Sequence, residues 1–151
     1  MKPCAALIGM ACLLIAGVRA ADTAADELAK LKGDWKVMSK ATFVLNPDSL
    51  KPFRMDRNNW ADSVHFDGEK VKFLVKGDKH SELTVKLDPA NSPKTIDLVL
   101  DGKTWMGIYE LKDDTLKMCL LEGKERPTDI TGAKHATGKV AFIAYTLKRS
   151  K

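Results

Sequence analysis

Once a leader is set aside, this chain is nearly without cysteine. Cys4 and Cys12 fall within the first twenty residues, and Cys119 is left alone. No internal disulfide can then form, even in an oxidising compartment, so stability has to come from packing. Long hydrophobic runs are missing too. The one candidate, Ala5 to Ala16, is shorter than the ~20 apolar residues that a membrane-spanning helix needs, so no transmembrane anchor is expected. Aromatic residues are few, and no basic patch interleaves with them, which argues against a nucleic-acid partner. The chain has no Gly-x-Ser-x-Gly elbow, no glycine-rich dinucleotide or phosphate loop, and no paired-carboxylate motif. It is not read as an enzyme, and no cofactor is expected.

What is present begins with a secretory signal. Lys2 supplies a positive start, the Ala5–Ala16 run follows, and Val18-Arg19-Ala20 places small residues at the −3 and −1 positions of a cleavage site. A lipoprotein reading of Cys12 fits less well. Gly9-Met10-Ala11 precedes it, and Leu13-Leu14-Ile15 follows where a mature lipoprotein turns polar. Residues 1–20 are therefore read as a signal peptide and 21–151 as one exported domain, periplasmic or extracellular. Taking 20 from 151 leaves 131 residues, an ordinary domain size. The composition holds 25 Lys and Arg against 20 Asp and Glu; without Lys2 and Arg19 the balance is 23 against 20. These lysines alternate with apolar residues, as on a solvated sheet face.

Asp22 to Lys32 reads as a short helix, with a Thr23/Asp26 capping box at its start. Gly33-Asp34-Trp35 then opens a long strand. Trp35, Val37, Ala41, Phe43 and Leu45 fall on one face, and Lys36, Lys40 and Thr42 on the other. Residues 50–59 show no period. Beyond them come Trp60, Val64 and Phe66; Val71, Phe73 and Val75; Leu83, Val85 and Leu87; Ile96, Leu98 and Leu100; Trp105 to Leu111; Leu116 to Leu121; and Val140 to Leu147. Asp67-Gly68, Gly77-Asp78, Asp101-Gly102 and Asp113-Asp114 supply the turns between several of these. About eight strands joined by consecutive hairpins predict an all-β, antiparallel up-and-down barrel with a short N-terminal helix. Such a barrel is just wide enough for side chains or one small ligand.

A short helix, Gly33-x-Trp35 at the first strand and a basic residue closing the last strand together resemble the lipocalin superfamily. The resemblance implies that Trp35 plugs the barrel floor and that Arg149, with Lys148 as the alternative, lies over its face. A more specific resemblance covers nearly the whole mature chain. Leu31-Lys-Gly-Asp-Trp-Lys-Val, Leu87-Asp-Pro followed by Ser92-Pro-Lys-Thr-Ile-Asp-Leu, Gly107-Ile-Tyr-Glu-Leu with Leu116-Lys-Met-Cys, and Arg126-Pro-Thr are similar to an uncharacterised lipocalin-like domain family abundant in planctomycete bacteria. That family carries over a fold but no activity, ligand or catalytic residue. Burying an indole of ~200 Å² at ~25 cal/mol/Å² contributes at most about 5 kcal/mol. A stacked guanidinium adds ~0.5–2 kcal/mol and keeps its charge wet.

The remaining candidates concern ligands. Trp60, Phe66, Phe73, Tyr109 and Phe142 could line a cavity for a small apolar molecule, or could fill the barrel, which its short strands favour. Two functions follow. One is an exported lipocalin-like binding module, with residues 46–59 and 122–139 as entrance loops. The other is a filled barrel acting on a protein partner or the envelope through those loops. Asp78, His80 and Glu82 are close enough in sequence to suggest a metal site, but exposed polar residues at a hairpin explain them as well. His65 is expected on the solvent face and His135 in a loop. Cys119 is expected to be a small buried thiol, since nothing near it in sequence would activate it.

Overall fold

The structure, a computed structural model, describes residues 22–44, 53–54, 61–122, 125–131 and 141–151, and the side chains of all of these except 42–44, 53, 54, 79, 80 and 141. The expected signal peptide, Trp60, His135 and most of the two expected entrance loops lie outside these residues. Helix α1 (Ala24–Leu31) is capped by Thr23, whose hydroxyl accepts from the Asp26 amide while the Asp26 carboxylate accepts from the Thr23 amide. Nine strands follow among the described residues: β1 (Gly33–Val44), β2 (Phe53–Arg54), β3 (Ser63–Asp67), β4 (Lys70–Val75), β5 (Asp78–Asp88), β6 (Thr95–Leu100), β7 (Lys103–Lys112), β8 (Thr115–Glu122) and β9 (Ala141–Arg149).

All neighbouring strands are antiparallel. The order β1-β3-β4-β5-β6-β7-β8-β9 closes through a β1–β9 pairing, giving an eight-stranded up-and-down barrel, with the two-residue β2 appended beside the end of β1. The hairpins follow turn chemistry. Asp101 and Gly102 both have positive φ, as a two-residue turn matched to strand twist requires. Asp113 takes a left-handed conformation in the same way. The β4–β5 turn is centred on Lys76-Gly77, one residue earlier than expected.

One end of the barrel is closed by α1. Trp35 is fully buried, and its indole N–H donates to the Leu31 carbonyl at 2.8 Å. The Arg149 guanidinium lies 4.3 Å from the centre of the indole ring. It also donates to the carbonyls of Lys30 and Lys32, at 2.5 and 2.9 Å. Three of the carbonyls that a helix end leaves unpartnered are thus satisfied by the two floor residues, and the cation sits at the negative end of the helix. Gly33 links helix and strand at φ +116, a conformation that side chains rarely adopt. The basic residue over Trp35 is Arg149.

The alternation expected along β1 holds only as far as Val37. Trp35 pairs with Arg149 and Val37 with Leu147, but the next pair is Ser39 with Thr146, so Met38 is an extra residue in the strand. A one-residue bulge exchanges the two faces of everything beyond it. Met38 is left 57% exposed, and Lys40, expected on the outer face with Lys36, turns into the barrel opposite Tyr145.

Loss of the floor cation should be measurable. Arg149→Gln removes the ring contact and charge-assisted bonds to helix carbonyls, and should lower unfolding stability by about 2 kcal/mol. Urea denaturation of residues 21–151 reads this; an unchanged midpoint would show that the contact contributes nothing.

Candidate functional site

The barrel interior divides into a filled half and a hollow half. Toward α1, Trp35, Val64, Phe66, Ile96, Leu116 and Leu147 pack together with none more than 1% exposed. Toward the other end lies a cavity of about 300 Å³. Its apolar wall comes from Ala61, Phe73, Leu83, Leu98, Leu100, Trp105, Leu120 and Ile143, and its polar groups are Lys40, Ser81 and Tyr145. Among the described core residues, the four that keep 7–8% exposure are Ala61, Phe73, Leu83 and Tyr145, all on this wall. Solvent therefore reaches the interior from the end opposite Trp35.

Strand register explains which side chains reach the cavity. Phe73 pairs with Ser81, Leu98 with Trp105, and Leu120 with Ile143, so each wall residue faces inward beside another. Lys40 pairs with Tyr145, and its Nζ stands 5.3 Å from the centre of the phenol ring. Burial pulls the Lys40 ammonium below the usual lysine range, because the charged form has lost part of its hydration. Burial also pushes the Tyr145 phenol well above its ordinary value, so it remains a neutral hydroxyl at all physiological pH values. Among the described residues, the result is an apolar cup with one cation and two hydroxyls.

Of the five aromatics singled out in the sequence, Phe73 alone stands on this wall among those described. Phe66 belongs to the filled half. Tyr109 also lies toward the closed end, where its hydroxyl donates to Glu27 Oε2 at 2.8 Å. Phe142 is on the outer side of the sheet, clustered with Ile108, Cys119 and Leu121 beneath Ile130. Parity decides this: Ile143 and Tyr145 of the same strand face inward, so Phe142 cannot. Trp60 lies outside the described residues. Trp105 and Tyr145 were legible as inward residues from their even spacing from Tyr109 and Leu147. Lys40 was concealed by the bulge, whose one trace is the adjacent apolar pair Val37-Met38 followed by Ser39 where an apolar residue was due.

The segment 125–131, expected at an entrance, is fastened to the outside of the wall. Arg126 donates to both carboxylate oxygens of Asp97, at 2.7 and 3.2 Å, and to the Gly107 carbonyl at 2.6 Å. Gly107 has no room for a side chain: an added Cβ would stand 2.5 Å from Leu120 Cδ2 and 2.6 Å from the Cys119 carbonyl oxygen. Ile130 then covers the apolar cluster that the strands present outward. Cys119, within that cluster, has its thiol pushed up to about 11 by burial and by the nearby Asp129 charge, which disfavours the nucleophilic thiolate.

The other polar candidates disperse. Asp34 and His65 pair across β1 and β3 at 2.6 Å on the outer surface. Glu82 meets Lys72 at 3.9 Å. The β4–β5 register shifts between the Phe73–Ser81 and Leu74–Lys79 pairs, leaving His80 as an extra residue and breaking the alternation that would have set it beside Glu82. The His80 side chain is outside the described set. Among the described residues, no three His, Cys, Asp or Glu side chains converge as metal ligands do.

The one buried carboxylate among the described residues is structural. Glu27 is 1% exposed in α1 and accepts from Lys30 at 3.0 Å, Lys94 at 2.8 Å and Tyr109 at 2.8 Å. Burial would raise its pKa, but the three hydrogen bonds outweigh that and hold it at about 2. This pins the helix to the β6 and β7 ends of the barrel. Comparison of the chain with protein-family models, curated proteins and solved structures finds no match.

Because the folded Glu27 carboxyl titrates below its unfolded value of 4.5, its contribution is complete above that pH and is lost as pH falls toward 2. Unfolding titrations from pH 7 to 2 should show Glu27→Gln about 2–3 kcal/mol less stable at pH 7. That gap should close on acidification. A gap independent of pH would mean that the carboxylate charge is not what matters.

Proposed function

We propose that this chain is an exported lipocalin-like module that takes up a small apolar or amphipathic molecule at the open end of its barrel. The observation that carries this reading is the 300 Å³ cavity, walled mainly by aliphatic and aromatic side chains and reached from the end opposite Trp35. Ligand sites are typically concave and apolar, with a few placed polar groups, and begin at about this size. A dry protein cavity of ~150 Å³ holds benzene, so this one suits a body of roughly a dozen heavy atoms. At ~0.4 kcal/mol per heavy atom, such a ligand would bind with a Kd of order 10⁻⁴ M, and a tail projecting from the mouth would tighten it. Export is supported by the N-terminal pattern of Lys2, the Ala5–Ala16 run and Val18-Arg19-Ala20.

Titrating the mature protein with a fluorescent fatty-acid-like probe should give a saturable shift with one-to-one stoichiometry. Ala61→Trp, which places an indole on the cavity wall, should weaken uptake at least tenfold while the chain stays folded by circular dichroism. No saturable uptake across a panel of lipids, pigments and sterols would count against the reading, as would uptake indifferent to Ala61→Trp.

A further inference from the structure

β7 outlasts its neighbour. It runs to Lys112, but β6 begins only at Thr95, opposite Ile108. Lys112 and Thr115 flank the two-residue Asp113-Asp114 turn, so they exchange backbone hydrogen bonds. Alternation then aims the amide and carbonyl of Glu110 at β8, and those of Tyr109 and Leu111 the other way. The Tyr109 amide does point there, donating to the Lys94 carbonyl at 3.0 Å. Beyond it, no backbone group among the described residues meets Leu111 from that side. A groove of about 590 Å³ follows this edge. Ile108, Tyr109, Glu110 and Leu111 all line it; side chains of both faces can do so only where a groove runs beside the backbone.

The walls of the groove are fastened. Asp88 keeps the β5–β6 loop in a turn of its own, accepting from the Ala90 amide and from Asn91 Nδ2 at 3.1 and 2.8 Å. Lys94 is drawn to Glu27 at 2.8 Å, and Arg126 clamps the segment whose Thr128 and Ile130 form the outer rim. An edge recessed between such walls suits one extended chain better than another sheet. We infer that a short extended peptide adds to β7 here, antiparallel as β6 is, at a site separate from the barrel interior. Its residue opposite Leu111 exchanges both backbone bonds with it and shares its half-buried face, where an apolar side chain belongs. The residues on either side fall on the outer face, beside exposed Glu110 and Lys112. Antiparallel order sets the following residue against Glu110 and the preceding one against Lys112. Charge complementarity across the pair therefore selects an acidic, apolar, basic sequence such as Glu-Val-Arg.

The test follows backbone amide signals of isotopically labelled residues 21–151 by NMR during titration with acetyl-Thr-Glu-Val-Arg-amide. The Leu111 amide should shift saturably. The reversed peptide, acetyl-Arg-Val-Glu-Thr-amide, has the same composition and charge, and should bind about fivefold more weakly or worse. N-methylation of the Val amide, which faces Leu111, should weaken binding about tenfold or more. N-methylation of the Arg amide, which faces away, should leave affinity within about twofold. No saturable shift at Leu111, equal binding of the two sequences, or equal loss on methylating either amide would overturn the assignment. So would broadening of the Leu111 amide when the chain is concentrated alone, which would give the edge to a second copy.

Discussion

The barrel depends on how one of its ends is shut. A closed sheet removes the edges at its sides but leaves two openings, and a hydrophobic interior survives only if water is kept out of at least one. Here the stopper is the Trp35 indole, with Arg149 lying over its face. Neither acts alone. Their polar atoms go to the carbonyls at the end of α1, so helix, first strand and last strand are bound at one point. Trp35 and Arg149 are also directly paired across the β1–β9 seam. The same contact therefore closes the sheet into a barrel and the barrel at its floor. Glu27 adds a second attachment for the helix, through Lys94 and Tyr109 on the opposite side.

With the floor sealed and its half of the interior filled, the other half can be left hollow. The bulge at Met38 is what gives the hollow its character. Up to Val37, β1 contributes apolar side chains to a solid core; one extra residue later, the inward position belongs to a lysine. Placing an ammonium there costs hydration free energy, moderated by the nearby Tyr145 ring and by the open end. On the outside, strands β7 to β9 carry their own apolar cluster, and the 125–131 segment covers it, clamped by Arg126.

The fold was largely legible because its signals are local. Period-two alternation, hairpin turns at Asp101-Gly102 and Asp113-Asp114, and the Thr23/Asp26 cap each need only a few adjacent residues; the turn expected at Asp67-Gly68 lies one residue on, at Gly68-Glu69, because Asp67 still pairs with Lys70. The Trp35–Arg149 contact spans most of the chain and was reached through resemblance, since no local pattern joins a tryptophan to an arginine more than a hundred residues away. The site was less legible. Tyr109 and Phe142 are aromatic residues on strands, as Phe73 is, and only register separates the one on the cavity wall from those at the helix junction and outer face. Lys40 was assigned to solvent by a parity count that a bulge, marked only by Val37-Met38-Ser39, reverses. Glu27 looked like any helical carboxylate, because the two lysines and the tyrosine that define it meet only in the folded barrel.

The central claim is an asymmetry: a sealed end at Trp35 and an accessible interior at the other, where Trp105 lines the cavity. Acrylamide quenching of two variants, one keeping only Trp35 and the other only Trp105, with the remaining tryptophans changed to Phe, measures this directly. The Trp105 protein should be quenched several-fold more efficiently, and the Trp35 protein should emit at shorter wavelength with little quenching. Equal quenching of the two, or greater quenching of Trp35, would contradict the account.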